Sequence, residues 1–138
     1  MTNMAESFNT RQAGALPGML GFEWLEIVHG AANGRFSVVS QHMAPNGFLH
    51  AGSVVTFADT ACGYGCVASL PPDANGFTTI ELKSNFLGTA REGVVTVEAR
   101  LIHGGRNTQV WDAEVKAEVS GKTIALFRCT QMVLYPKA

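Results

Sequence analysis

The sequence has little charge for a globular protein. Only 15% of its 138 residues are Asp, Glu, Lys or Arg, where about 25% is typical. Ten basic and eleven acidic residues give a net charge of -1, and no basic cluster stands out. Because nucleic-acid-binding proteins present a Lys/Arg stripe, this composition excludes a nucleic-acid partner. Low charge beside 46% apolar residues indicates that another subunit covers part of the surface.

Long hydrophobic runs and cysteine are also scarce. The most apolar stretch, residues 51–70, is interrupted by four polar residues, including Asp59, which argues against a transmembrane helix. The first twenty residues contain no continuous apolar segment of the kind found in secretory signals. Cys62 and Cys66 lie four apart within the apolar stretch, which indicates buried thiols in a reducing compartment. We therefore expect a cytoplasmic protein without a membrane partner.

Several catalytic motifs are missing as well. The sequence contains no Cys-x-x-Cys, His-x-His or His-Glu-x-x-His spacing, so we expect no metal site. Gly-x-Ser-x-Gly, a dinucleotide fingerprint and a P-loop are absent too. The run Gly63-Tyr64-Gly65 lies inside a helical stretch, where it predicts close packing of the helix against a neighbouring element.

The length predicts one domain over residues 1–138, with residues 1–16 as an N-terminal helical extension. We expect a short, loosely packed helix over residues 3–14, ended by Pro17 and Gly18. Residues 22–29 predict a strand, and Ala32-Asn33-Gly34 predicts the hairpin turn into a second strand over residues 35–40. A loop follows over residues 41–49.

Residues 50–70 predict a helix about 30 Å long, apolar nearly all round and stopped by Pro71-Pro72. Residues 95–101 and 111–119 alternate between apolar and polar side chains, which predicts antiparallel strands with one solvated face. Residues 77–87 and 122–135 are predicted to be strands too. Two strands, one long helix and four long strands fit together if the sheet curls round the helix. The predicted fold class is α+β, of the hotdog type: a long central α-helix wrapped by a curved antiparallel sheet.

Asp59 is the most informative residue of the helix, because an unpaired buried carboxylate costs several kcal/mol. One interpretation places it on a polar stripe with Thr56 and Thr60, in contact with water. The other places it in a cleft with an altered pKa, where it acts as a base or a nucleophile.

His50 begins the same helix, whose N-terminal N–H groups favour an anion or a developing oxyanion. Alternatively, His50 only caps the helix. The nine residues from His50 to Asp59 correspond to about 13.5 Å along the axis and about 180° round it. Within one chain the two residues therefore cannot act on one substrate atom. A two-fold dimer solves this, because each subunit can present its helix terminus to the other's Asp59.

The segment Asn46-Gly47-Phe48-Leu49-His50-Ala51-Gly52, followed by Phe57-Ala58-Asp59-Thr60-Ala61, resembles the PaaI-like hotdog-fold acyl-CoA thioesterases. That family has an Asn-Pro-x-Gly-x-Leu-His-Gly-Gly type loop and an Asp or Glu nine residues after the His. The resemblance covers nearly the whole chain in element order, including Asn85-Phe86-Leu87 and the turn Gly104-Gly105-Arg106.

The resemblance implies that Asp59 is the catalytic base or nucleophile and that the Ala51 N–H of the facing subunit supplies the oxyanion hole. His50 then holds the loop or the substrate carbonyl, and Thr79 positions water, unless it is an ordinary strand threonine. Arg106 and Asn107 are implied as contacts for the nucleotide end of coenzyme A, or they form a solvated hairpin tip. Asn46 is the third candidate contact for coenzyme A, which is part of the substrate. No separate cofactor is implied.

Two positions depart from the family pattern. Ala51 follows the His where Gly is usual, and its methyl group narrows the approach to the backbone. Ala44 lies six residues before the His, where Asn or Gln is usual, so a polar contact is missing unless Asn46 or His42 replaces it.

Three hypotheses follow. The first is a thioesterase that hydrolyses acyl-CoA or aryl-CoA as a homodimer or homotetramer. The second is a hotdog hydratase or dehydratase, although the His-Phe-Pro-Gly run of acyl-carrier-protein dehydratases is missing. The third is a non-catalytic acyl-CoA-binding protein, which the departures at Ala44 and Ala51 favour. Five aromatic residues line an acyl pocket or fill the core: Phe8, Phe22, Phe48, Tyr64 and Phe77.

Overall fold

A computed structural model describes residues 2–137. Its centre is one six-stranded antiparallel sheet in the order β1-β2-β4-β5-β6-β3. The strands are β1 Glu23–Val28, β2 Ala31–Ser37, β3 Gly76–Phe86, β4 Val94–Gly104, β5 Thr108–Ala117 and β6 Thr123–Leu134. The helices are α1 Ala5–Arg11, α2 Leu16–Met19 and α3 Ala51–Ala68, with a short 3-10 turn at Ser40–His42. The predicted α+β hotdog architecture is confirmed.

Helix α3 packs against the inner face of the sheet along one side only. The small and apolar residues from Val54 to Cys66 that recur at helical spacing are buried, whereas Val55, Asp59 and Val67 on the other side are half-buried. The sequence predicts burial on most sides. Within one chain, the sheet covers only one side of α3.

The glycines of α3 allow the helix to lie close to the sheet, as predicted. A Cβ atom at Gly65 would lie 2.5 Å from the Trp111 ring on β5. One at Gly63 would lie 2.9 Å from the ring of Phe77 on β3. Both rings fill the space that a side chain would need, so the two glycines set the distance between helix and sheet.

Two local predictions are wrong. The first hairpin turns at His29-Gly30, where Gly30 has φ +82°, and Ala32-Asn33-Gly34 lies within β2. Gly34 is needed because a Cβ atom there would lie 2.4 Å from the ring of Trp24. Prediction from turn composition alone misses this, since a glycine that accommodates a tryptophan looks the same as a turn glycine.

The N-terminal helix is tightly packed, contrary to the expectation. Phe8 is buried, and its ring stacks on that of Tyr64 with 4.2 Å between centroids. The buried Gln12 side chain accepts hydrogen bonds from Trp24 Nε1 at 2.8 Å and from the Tyr64 hydroxyl at 3.0 Å. The helix ends at Arg11, and Pro17 lies inside the separate turn α2.

The two edges of the sheet differ. Asn9 of α1 pairs with the backbone N–H and C=O of Trp24, so side chains from α1 cover edge strand β1. The other edge strand, β3, leaves Ile80, Leu82 and Phe86 exposed. No described segment of the chain covers that edge. An apolar, uncovered edge strand is a ready surface for pairing with another chain.

Candidate active site

Asp59 lies in the middle of α3 and meets the sheet at β3. Thr79 Oγ1 lies 3.3 Å from Asp59 Oδ1. The pKa of the Asp59 carboxyl is raised above 3.8 because burial disfavours its charged form, and the hydrogen bond from Thr79 opposes part of that rise. Thr56 does not share in this contact, since its hydroxyl donates to the backbone oxygen of Gly52 at 2.7 Å. A carboxyl in this environment holds a proton more readily than an exposed one does, which suits a group that accepts a proton during a reaction.

A β-bulge directly after Thr79 determines which face of the sheet the side chains of this part of β3 point to. Thr79 pairs with Gln131 of β6 and Glu81 pairs with Thr130, so Ile80 is the extra residue. The bulge turns Thr79 inward while it keeps the charge of Glu81 on the other face. Thr79 Oγ1 also lies 2.6 Å from Gln131 Oε1, and Gln131 is fully buried. Three polar side chains therefore meet in a row between the sheet and the helix.

His50 is the N-cap of α3. Its Nδ1 accepts a hydrogen bond from the Gly52 N–H at 2.7 Å. In the neutral ring the proton therefore resides on Nε2, which is left as a donor. The backbone N–H of Ala51 is at the first helical position, where no intrahelical acceptor exists. Both residues are exposed, so the helix terminus offers two donors to solvent or to a ligand.

The structure does not bring His50 and Asp59 together. They are separated by the nine-residue span of α3, about 13.5 Å along the helix axis. Asp59, Thr79 and Gln131 form one group, and His50 and Ala51 form another at the helix start. A reaction that needs both groups requires two copies of the chain.

Of the two replacements considered for the missing polar residue at Ala44, only Asn46 keeps a free polar atom. The His42 ring is buried, with Nε2 2.6 Å from the backbone oxygen of Leu20 and Nδ1 accepting from the Val39 N–H. Asn46 is exposed, and its side chain accepts from the Phe48 N–H to close the turn that precedes α3. Asn46 therefore keeps its side-chain Nδ2 as an exposed donor, whereas His42 offers none.

Arg106 and Asn107 lie in the turn between β4 and β5, where both are exposed. The guanidinium of Arg106 lies over the ring of Tyr135, 5.1 Å from its centroid. The backbone oxygen of Asn107 accepts from the Val133 N–H at 2.8 Å. Gln109 at the start of β5 donates to the backbone oxygen of Ser69, so this turn lies near the end of α3 and far from Ala51.

An apolar cavity of about 340 Å³ opens beside the start of α3. Its lining residues are Phe48, Leu49, Ala51, Val54, Phe86, Gly88 and Thr89. Of the five aromatic residues considered for an acyl pocket, only Phe48 is in it, while Phe8 and Phe22 are buried in the core. Sequence reasoning missed Phe86 and Gln131 as site residues. Phe86 is part of the resemblance but receives a role only once its place in the cavity is known, and Gln131 is noticeable only as a polar residue at an inward strand position.

The three cysteines are buried and free, which confirms the prediction for Cys62 and Cys66. Burial raises the pKa of the Cys62 thiol well above 9.0, and its hydrogen bond with Cys129 raises it further. Burial also raises the pKa of Cys66 to about 12. These thiols stay protonated at neutral pH and are poor nucleophiles. Within residues 2–137, no helix combines the length and hydropathy that a membrane crossing requires.

The curved sheet round one central helix and the carboxyl on that helix define a hotdog-fold enzyme, and similarity to known proteins agrees. Residues 46–124 match the family profile of the thioesterase superfamily. The 1,4-dihydroxy-2-naphthoyl-CoA hydrolase of Listeria monocytogenes is 33% identical over 111 residues, which cover 80% of this chain and 89% of the relative.

Two solved structures extend the likeness over the whole fold. A mutant thioesterase from Pseudomonas aeruginosa has a TM-score of 0.91 and 28% identity, covering 99% of this chain and 97% of the other. The Escherichia coli PaaI protein of the phenylacetic acid degradation operon has a TM-score of 0.82 and 25% identity, covering 93% and 90%. The chain belongs to the thioesterase superfamily and is a thioester hydrolase of the PaaI-like hotdog type.

Proposed function

We propose that the protein hydrolyses acyl-CoA or aryl-CoA thioesters to the free acid and coenzyme A, with Asp59 as the catalytic base or nucleophile. The observation that carries this role is the half-buried carboxyl beside Thr79, with its pKa raised by burial. As a base, Asp59 removes a proton from water that attacks the thioester carbonyl. As a nucleophile, it attacks the carbonyl itself, and water then cleaves the anhydride. Thr79 orients the carboxylate or the water in both cases.

The oxyanion of the tetrahedral intermediate is bound by the N–H of Ala51 from a second copy of the chain. This role is supported by the free N–H at the exposed helix start and by the distance along α3 from Asp59. The donor from His50 Nε2 lies beside it and adds a hydrogen bond to the thioester carbonyl. Backbone donors aimed at a developing oxyanion contribute a large share of the rate in acyl transfer.

The second copy pairs through the open edge of the sheet. Ile80, Leu82 and Phe86 are exposed on β3, and the low overall charge is consistent with a covered surface. Two-fold pairing presents each helix start to the other subunit's Asp59, which gives two equivalent sites per dimer. We propose a homodimer as the catalytic unit, and pairs of such dimers as a tetramer.

Different parts of the chain contact different parts of the substrate. The apolar cavity beside Ala51, with Phe48 and Phe86 in its wall, receives apolar substrate atoms next to the reacting carbonyl. Arg106, held over Tyr135, and Asn107 contact the nucleotide end of coenzyme A, and Asn46 adds a further polar contact. The reaction needs neither a metal nor a redox cofactor, so its rate is expected to be unchanged by a chelator.

A panel of acyl-CoA and aryl-CoA thioesters, read by release of free thiol, tests this function. The wild type releases thiol, and Asp59→Asn lowers kcat about a hundredfold or more, because general-base groups contribute about 10²–10⁴. Asp73→Asn, which removes an exposed carboxylate from the loop after α3, is the matched control and keeps full activity. Equal turnover by the wild type and Asp59→Asn would remove Asp59 from the mechanism. Loss of enoyl absorbance without thiol release would instead show a hydratase.

A further inference from the structure

Gln131 holds an unusual position behind the proposed catalytic carboxyl. It lies on the inner face of β6, fully buried, opposite Thr79 of β3. Its Oε1 lies 2.6 Å from Thr79 Oγ1, while its Nε2 has no hydrogen-bond partner in the structure. A buried amide N–H without a partner has lost its hydrogen bonds to water and gained none in return. Such a group in a native protein therefore calls for an explanation.

The neighbouring residue Gln109 shows that this strand region can satisfy a buried glutamine. Gln109 is also fully buried, one strand away on β5, opposite Gln131. Its Nε2 donates to the Ser69 oxygen at 2.9 Å and its Oε1 accepts from Trp111 Nε1 at 2.8 Å. Gln109 joins the helix end to the sheet, while the only side-chain hydrogen bond of Gln131 within the described residues is the one with Thr79. Any effect of the Gln131 amide on the site must therefore pass through Thr79.

Thr79 has one hydroxyl proton and two acceptors within reach. Asp59 Oδ1 lies at 3.3 Å and Gln131 Oε1 at 2.6 Å. When the Asp59 carboxyl is protonated it can donate to Thr79, and Thr79 then donates to Gln131 Oε1. This direction fits the shorter contact to Gln131. When Asp59 is ionised, its carboxylate accepts the hydroxyl proton of Thr79. The Thr79 oxygen and Gln131 Oε1 are then two acceptors that face each other with no proton between them.

A half-turn of the Gln131 amide removes the conflict at Thr79 and leaves Oε1, rather than Nε2, without a partner. The turn places Nε2 where Oε1 was, so that the amide donates to Thr79 Oγ1 and Thr79 donates to Asp59. The donors then run from Gln131 through Thr79 to Asp59, which is the reverse of the order when Asp59 is protonated. A donor that itself accepts a hydrogen bond is the stronger donor. Gln131 can thus support both protonation states of Asp59 without moving its backbone.

We propose that Gln131 is a positioning residue for the thioesterase reaction, whose amide turns with the protonation state of Asp59 and acts on it only through Thr79. This rests on the proposed role of Asp59. The other titratable neighbour of Asp59 is the Cys62 thiol on α3, which pairs with Cys129 of β6 and stays neutral. Charged residues of the adjoining strands alternate onto the opposite face of the sheet: Glu81, Lys83, Asp112 and Arg128.

A double-mutant cycle with Thr79→Val tests the proposal. Gln131→Met keeps the size of the side chain and removes both polar atoms. In the wild-type background it is expected to lower kcat/KM about fivefold or more and to move the acid limb of the pH profile upward by about half a unit or more, since the carboxylate loses support. In the Thr79→Val background it is expected to change neither quantity, because Gln131 has no other route to Asp59.

Gln109→Met is the matched control. It is expected to lower the unfolding temperature, because Ser69 and Trp111 lose their partners, and to leave the acid limb in place. If Gln131→Met does not fold, Gln131→Glu replaces it, and the added carboxylate is expected to move the acid limb further upward. An acid limb that stays or moves downward, or equal effects with and without the Thr79 hydroxyl, would overturn the proposal. Thiol release abolished in Asp59→Asn alongside an inert Gln131→Met would reject this inference and leave the proposed function intact.

Discussion

Thr79 of β3 and Asp59 of α3 are joined across the helix–sheet interface, with Thr79 Oγ1 3.3 Å from Asp59 Oδ1. This contact lowers the pKa of a carboxyl that burial raises. The two effects oppose each other, and burial is the larger, so the pKa of Asp59 stays above its ordinary value.

The contact predicts the pH dependence of hydrolysis. A base or nucleophile must be ionised, so kcat/KM falls as the pH drops below the Asp59 pKa, which lies above 3.8. Thr79→Val removes the hydrogen bond that lowers this pKa, and the acid limb is expected to move to higher pH. Thr79→Ser keeps the hydroxyl and is expected to keep the limb in place. Initial rates of thiol release between pH 4 and 8 measure it, and a limb unchanged in Thr79→Val would contradict the assignment.

Gly65 is predicted to be required for the close packing of α3 against the sheet. Gly65→Ala places a Cβ atom 2.5 Å from the buried Trp111 ring, and overpacking of this kind costs about 1–3 kcal/mol. Gly76→Ala is the control, since a Cβ atom there meets nothing within 4 Å. Urea unfolding is expected to show a lower midpoint for Gly65→Ala alone. Equal midpoints for the two variants would mean that Trp111 moves aside at little cost.

The buried thiols are predicted to be inert in the native state. Burial holds the pKa of Cys66 at about 12 and that of Cys62 well above 9.0, so little thiolate exists at pH 8. An aromatic disulfide reagent is expected to react slowly with native protein and to titrate all three thiols after denaturation. Ser120→Cys, in an exposed turn, is expected to add one thiol that reacts at once. Rapid reaction of native wild type would contradict this burial.

The open edge of β3 is predicted to form the dimer. Leu82→Lys places a charge on this edge, which opposes strand pairing, and is expected to yield monomers with little activity. Val119→Lys changes a fully exposed turn residue and is expected to stay dimeric and active. Light scattering coupled to size exclusion gives the mass of each. A Leu82→Lys dimer with full activity would place the interface elsewhere.

Much of the fold follows from hydrophobic periodicity, because β4 and β5 alternate over most of their length and the one long helix does not. The boundaries of α3, β3 and β6 are predicted to within about two residues. Periodicity fails where a residue serves a distant partner. Gly34 in β2 accommodates Trp24, and Phe8 of α1 stacks on Tyr64, which no local pattern reveals.

The sequence also predicts some residues of the candidate site and misses others. Asp59 stands out because a carboxylate in an apolar helix is costly, and His50 because it begins that helix. Their separation follows from helix geometry alone. Gln131 and Phe86 could not be found from the sequence, because their roles depend on the register of β6 and β3. His42 illustrates the converse, since a histidine near the motif is fully occupied within the core.

The proposed site is shared between two copies of the chain, and mixed dimers test this sharing directly. Ala51→Pro removes the proposed oxyanion donor at a position where proline is tolerated in helices, and is expected to lower kcat by about 10²–10³. Ala51→Gly keeps the N–H and serves as the control. Dimers that combine one Asp59→Asn chain with one Ala51→Pro chain, isolated with two affinity tags, retain one intact site if it is shared. A shared site predicts about half of the wild-type activity for these mixed dimers, and activity no higher than that of either parent variant would contradict a shared site.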